Sequence, residues 1–123
     1  MKGAKKTLTP TEYQEQSTFV DWLELRGYRF TAIPNSTYTH SYNQKRRNHF
    51  SGLRPGIPDI LIILPKVGLL FIEMKRAKPK GKLTSEQAEW IAELNKLPGV
   101  QAEVCHGPEE AIALVERLTN SKS

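Results

Sequence analysis

One cysteine, Cys105, in 123 residues has nothing within the chain to pair with. An internal disulfide is excluded, and so is a cysteine-rich zinc site. No base or nucleophile stands beside Cys105 in the sequence, so it reads as a buried, inert thiol that fits a reducing compartment. Long apolar runs are also missing. None approaches the ~18 residues of a transmembrane helix, so no membrane partner is expected. The basic N-terminus lacks the apolar core of a signal peptide, which points to the cytoplasm. Internal repeats and low-complexity segments are absent. With 38% hydrophobic residues the chain can bury one modest core, so a single domain is expected, with any site at its surface or at a seam between two copies. Acids are in short supply: 13 Asp and Glu against 18 Lys and Arg leave a net charge of +5 and a pI near 9.4. That balance favours a polyanionic partner, nucleic acid first, with other acidic substrates left open.

What is present centres on the stretch from Arg54 to Arg76. Pro58-Asp59 heads an apolar run, Ile60 to Leu64; Pro65 to Gly68 breaks it; a second run, Leu69 to Ile72, delivers Glu73-Met74-Lys75. The pattern predicts two adjacent strands joined by a short turn. Side chains alternate along a strand, so Glu73 and Lys75 share a face and Met74 takes the other. A turn centred near Lys66 lies seven residues after Asp59 and seven before Glu73, which would set those two carboxylates opposite each other.

Two carboxylates and an ammonium on one side of an apolar hairpin are costly to leave unpaired, and a divalent cation satisfies two carboxylates at once. Oxygen ligands suit Mg²⁺ or Mn²⁺. A water on such an ion has a lowered pKa and can attack phosphorus, with Lys75 beside it to orient the nucleophile or stabilise developing charge. The competing reading makes Glu73 and Lys75 the solvent face of a strand and Asp59 a residue that starts one.

These residues resemble the PD-(D/E)xK nuclease signature, and their surroundings resemble the VRR-NUC (virus-type replication-repair nuclease) domains, found alone in phages and fused to larger repair nucleases. The features that carry the resemblance are Glu12 with Gln16 before an apolar helix, Ile33-Pro34-Asn35, Gly56-Ile57-Pro58-Asp59, Phe71 to Arg76, and Thr84-Ser85-Glu86-Gln87 before Trp90. Together they span roughly residues 12 to 118. The resemblance implies metal ligation by Asp59, Glu73, a helical glutamate in the place of Glu12, and the backbone carbonyl of Met74. It implies that Lys75 positions or activates water and that Gln87 reaches toward Lys75 or the substrate.

Residues 1–10, with Lys2, Lys5 and Lys6, read as a flexible basic arm. Residues 11–119 form the domain and 120–123 a tail. Thr11 to Arg26 is the first helix. Glu12, Gln16, Phe19 and Leu23 share a flank, and packing of that flank on the sheet would carry Glu12 toward the carboxylate pair. Glu15, one turn on, is the second choice; both are also first-turn acids that a helix dipole favours. Tyr28 to Ile33 is a short strand. Asn35 to Gly56 has no clear period, which is long for a loop. It interleaves Tyr38, His40, Tyr42 and His49 with Lys45, Arg46, Arg47 and Arg54, a mixture suited to stacking and phosphate contact. A short helix over Asn43 to Phe50 is possible. His40 and His49 lack partners at metal-ligand spacing, so catalysis is not expected of them.

Arg76, Lys78, Lys80 and Lys82 follow the ExK strand, with Pro79 and Gly81 preventing regular structure; they read as a phosphate clamp or a solvated connector. Thr84 to Leu97 is the second helix. Thr84 and Gln87 match a capping box, a role that competes with the implied active-site role of Gln87. Trp90, Ile91, Leu94 and Leu97 are expected on the sheet, with Trp90 in core or dimer packing. Val100 to Cys105 is the last strand and Glu109 to Leu118 the last helix.

The expected fold is α/β: a restriction-endonuclease-like PD-(D/E)xK core with a mixed central sheet flanked by helices. The expected function is a Mg²⁺- or Mn²⁺-dependent DNA endonuclease. The chain leaves no room for a separate sequence-reading domain, and stand-alone members resemble Holliday-junction resolvases. Branched DNA, four-way junctions first, and a homodimer are therefore the expected partners, in the host cytoplasm if the source is viral. The rival readings are a nucleic-acid-binding module and an accessory of a phage replication or packaging complex with weak or partner-dependent nuclease activity.

Overall fold

The computed structural model describes residues 10–34 and 41–120. Most of the basic arm, Asn35, Tyr38, His40 and the end of the tail lie outside them. The order of elements is α1 (Glu12–Arg26), β1 (Arg29–Ala32), α2 (Tyr42–Phe50), β2 (Ile60–Leu64), β3 (Gly68–Lys75), α3 (Ser85–Leu94), β4 (Val100–His106) and α4 (Pro108–Asn120). The strands form one mixed sheet in the order β1-β2-β3-β4, antiparallel except for the parallel β3–β4 pair. This is the expected α/β architecture.

The hairpin register is the one the symmetry of the sequence predicts. Ile60 pairs with Ile72 and Leu64 with Gly68, which places the centre at Lys66. Val67 N–H donates to the Leu64 carbonyl at 2.9 Å. Pro65 fixes the first central position, and Lys66 takes a positive φ of 68° at the second, as in a type II turn. Gly68 follows with no side chain because none fits: a Cβ there would sit 2.1 Å from the Gly99 carbonyl oxygen. That close approach sets β3 beside the start of β4, where Leu69 N–H donates to Gly99.

The two faces of the sheet are unlike. Ile60, Ile62, Leu64, Leu70, Ile72 and Met74 are buried with Cys105 against Phe19 and Leu23 of α1 and Ala111, Leu114 and Val115 of α4. Burial of Cys105, with Glu103 and Glu110 nearby, pushes its thiol up to about 12, so it is inert as expected. The opposite face carries Glu73 and Lys75 together with the exposed Ile63 and Leu69, a directly facing pair.

The helix on the second face departs from expectation. Among its residues none is buried, and it ends at Leu94 rather than running to Leu97, which is 53% exposed. The cause is Asn95. Its amide accepts from Ala102 N–H at 2.8 Å and donates to the Ala102 carbonyl at 2.9 Å, so the chain is tied to β4 three residues early. The possible helix before Phe50 is real and begins at Tyr42, capped by the Ser41 hydroxyl. It buries nothing and carries no acid in its first turn.

Candidate active site

β2 and β3 place the signature residues by ladder geometry. Asp59 N–H donates to the Ile72 carbonyl at 3.0 Å, the last bond of the hairpin at this end. The residue before it is Pro58, which has no N–H to extend the ladder. Beyond that bond, Met74 N–H donates to the Asp59 side chain, to Oδ2 at 2.8 Å. A strand residue's N–H and carbonyl share one edge, so the Met74 carbonyl lies on the same edge as the Asp59 side chain that its N–H meets.

Asp59 and Glu73 face each other at this strand end, as the register requires. Glu73 is 2% exposed. Its Oε2 accepts from Gln87 Nε2 at 3.0 Å and stands 3.6 Å from Lys75 Nζ. Its Oε1 is buried with no hydrogen-bond partner, alone in this among the described residues. Burial pushes the Glu73 carboxyl up to about 8, and the Asp59 charge adds to the shift while Lys75 offsets part of it. Asp59 is raised by burial as well, against the pull of the Met74 N–H, of Glu73 and of Lys75. A buried acid whose ionisation is opposed by burial and by the charge of its half-buried neighbour, and which has an orphaned oxygen, is short of positive charge. Oδ1 of Asp59, Oε1 of Glu73 and the Met74 carbonyl make an oxygen-only set that fits Mg²⁺ or Mn²⁺.

Gln87 completes the capping box and also contacts Glu73. Its Oε1 accepts from Thr84 N–H at 2.9 Å and its own N–H donates to the Thr84 hydroxyl, a complete capping box. The other end of the same amide holds Glu73. The contact is to the carboxylate rather than to Lys75.

The first helix buries Phe19 and Leu23 as expected, with Glu15 beside them. The buried flank runs Glu15, Phe19, Leu23, and Glu12 is exposed. No group of three or more His, Cys, Asp or Glu side chains gathers to hold a metal among the described residues. Glu12 is near enough for its charge to raise the Glu73 carboxyl further, but it is not packed into the pair. Glu15 spends its carboxylate on structure: Oε1 accepts from Ala77 N–H at 3.1 Å, just past the end of β3.

Lys45, Arg46 and Arg47 on α2, Arg54 after it, and Arg76, Lys78, Lys80 and Lys82 after β3 are all exposed. The second group is held close to the site. Gly81 N–H closes the loop onto the Arg76 carbonyl, and a Cβ on Gly81 would touch the Lys75 side chain at 3.2 Å. The His106 ring lies 2.9 Å from the Gly81 carbonyl, a contact that sequence reading missed. Its signal was positional: His106 pairs with Lys75 across β3 and β4.

Trp90 is neither core nor free. It is half-buried, and its indole N–H donates to the Pro55 carbonyl at 3.0 Å, tying α3 to the loop that leads into Asp59. Gly56 makes that loop possible. Its φ is +106°, and a Cβ would meet the Glu86 backbone at 2.7 Å.

Among curated proteins none matches the chain. A solved structure described as a VRR_NUC domain protein is similar over 92% of this chain and 91% of its own, with 25% identity and a TM-score of 0.68. The family model for the VRR-NUC domain matches residues 6–109. The chain belongs to the VRR-NUC domain family, a nuclease-related group.

Proposed function

We propose that the protein is a divalent-metal-dependent DNA endonuclease that hydrolyses phosphodiester bonds at branched DNA. One observation carries the reading: a buried Glu73 facing half-buried Asp59, with its Oε1 unpartnered and the Lys75 ammonium 3.6 Å from its Oε2. Asp59, Glu73 and the Met74 carbonyl would hold Mg²⁺ or Mn²⁺, and Glu12 would add its charge from outside the pair. When bound, the ion supplies a water of lowered pKa and offsets charge on the phosphate.

The chain's own groups do the rest. Lys75 is fixed by Glu73, so its ammonium is already aimed when a phosphate arrives, and it offers donors to the attacking water or to the non-bridging oxygens. Gln87 holds Glu73 in one orientation. The loop from Arg76 to Lys82, folded against Lys75, meets the flanking phosphates. Lys45, Arg46, Arg47 and Arg54 take the strand further out, since such contacts position DNA without reading its sequence.

Shape rather than sequence is then the recognised feature, four-way junctions first. A homodimer would place two such sites for paired cuts. The deciding test is cleavage of matched linear duplex, flap and four-way-junction DNA in Mg²⁺ and Mn²⁺, with Lys75→Ala alongside. Symmetric junction nicks lost in the variant are expected. Cutting of every substrate would retain the chemistry and remove the junction preference. Tight binding without any cutting would make the protein a binding module.

A further inference from the structure

A cavity of about 280 Å³ opens beside the site, between the end of β1, the loop after α2, and α3. Ile33, Pro34, Leu53, Ile57 and Trp90 line it together with Arg54. At this volume it falls just below ordinary ligand pockets of about 300–1,000 Å³, which suits one flat ring system better than a whole peptide segment.

Its position links it to the candidate chemistry. Ile57 is two residues from Asp59, on the order of 7 Å along extended chain. Trp90 lies one helical turn beyond Gln87, whose amide holds Glu73. The walls are preorganised. The indole is fixed by its hydrogen bond to Pro55, Gly56 locks the same loop against the Glu86 backbone, and Arg54 is anchored by donating to the His49 and Leu53 carbonyls.

Charge selects the occupant. From Leu25 to Pro58 the sequence contains no aspartate or glutamate, while Lys45, Arg46, Arg47 and Arg54 within it stand exposed. An aromatic and apolar slot in basic surroundings matches a base whose backbone phosphates are held outside it.

We propose that this cavity receives one unpaired nucleobase of the DNA, stacked on Trp90, adjacent to the phosphate that is cut. The inference rests on the nuclease reading and deepens it. A base in intact duplex is stacked and paired, so the slot can take only one already displaced, as at a branch point or flap, or one extruded at a cost of a few kcal/mol. Selection for branched DNA then follows from a slot that intact duplex cannot fill cheaply.

The test uses the full chain in Ca²⁺, to hold the DNA uncut, with four-way-junction and flap probes. Each probe is made intact and with a single abasic nucleotide at successive positions around the branch. One position should matter: removal of its base should weaken binding about 10-fold, within the roughly 5- to 150-fold that loss of one aromatic stack produces. Trp90→Phe should retain that dependence and Trp90→Ala should lose it. Leu53→Trp, which fills the cavity from an exposed loop, should lose it as well and keeps the test open if Trp90→Ala does not fold. In a Trp22→Phe background the emission of Trp90 should be quenched by the intact probe and not by the abasic one.

Equal dependence in wild type, Trp90→Ala and Leu53→Trp would overturn the proposal, as would the lack of any position that matters. Trp90 emission that changes with protein concentration in the absence of DNA would assign the cavity to a second copy and overturn it too. Base-dependent binding without cleavage in Mg²⁺ would sink the nuclease reading and leave the slot. Cleavage without base-dependent binding would do the reverse.

Discussion

The two faces of the sheet divide the work. Toward α1 and α4 the residues of β2 and β3 are apolar and sealed: Ile62, Leu70 and Ile72 have no exposure at all. Toward α3 the same strands carry Glu73 and Lys75 beside exposed Ile63 and Leu69, and α3 buries none of its residues. One face concentrates the contacts that hold the fold. The other tolerates a buried carboxylate with an orphaned oxygen because the first face stabilises both. Alternation makes this possible: neighbours such as Ile72 and Glu73 serve opposite purposes one residue apart.

Single substitutions should separate the faces. On the open face, Lys75→Ala is expected to lower the cleavage rate by about 10²–10⁴-fold while leaving the melting temperature nearly unchanged; single-turnover kinetics beside thermal unfolding measure both. A large loss of stability in that variant would mean that the faces are not separable. On the sealed face, Leu70→Ala should reverse the pattern, costing about 2–5 kcal/mol of stability in denaturant unfolding with near-normal cleavage per folded molecule.

Between these extremes lies Glu73, whose carboxyl titrates near 8 instead of 4.5. The sign follows from proton binding: the folded state keeps a proton that the unfolded chain releases. The metal-free protein should therefore lose stability as pH rises from about 4.5 to 8 and level off above. Glu73→Gln should flatten that slope. Mg²⁺ must displace the same proton, so its affinity should climb through this window, by up to about tenfold per pH unit, and calorimetry in two buffers of different ionisation enthalpy would count the proton released. Metal affinity independent of pH would place the ion elsewhere.

A smaller effect is expected at Gln87, which ties α3 to Glu73 on the open face. Gln87→Ala should reduce metal affinity or cleavage about 10- to 100-fold, as for groups that orient a ligand, and cost about 1 kcal/mol through the lost cap. The smallest effect belongs to the rim: Lys80→Ala should weaken binding equally across sequences and reduce the salt dependence of binding by about one unit of slope.

How far the sequence discloses all this depends on the range of the interaction concerned. The hairpin is local, and symmetry about Lys66 was enough to bring Asp59 to Glu73. The capping box of Thr84 and Gln87 was local as well. The flank of α1 was not. Glu15, Phe19 and Leu23 fit helical spacing as well as Glu12, Gln16, Phe19 and Leu23 do, and a glutamate on a packed flank looks costly until its donor is known. That donor is Ala77 N–H, 62 residues away. Asn95 likewise ends α3 through Ala102, a partner on β4, where apolar spacing alone carried the helix on to Leu97. The apolar spacing of α3 assigns Trp90 to core or dimer packing; only the tertiary course of the Pro55 loop puts it at a cavity wall.

The amide of Gln87 has a consequence for motion. A helix terminus is ordinarily the first part of a helix to open, but the opening turn of α3 is closed by the same side chain that grips Glu73. Fraying at Thr84 would release the carboxylate, and a cation that fixed the carboxylate would in turn clamp the terminus. Amide hydrogens of Thr84 and Gln87 should then exchange more slowly once Mg²⁺ is added, so that a surface helix end reports, by its exchange rate, whether the buried pair has found its charge.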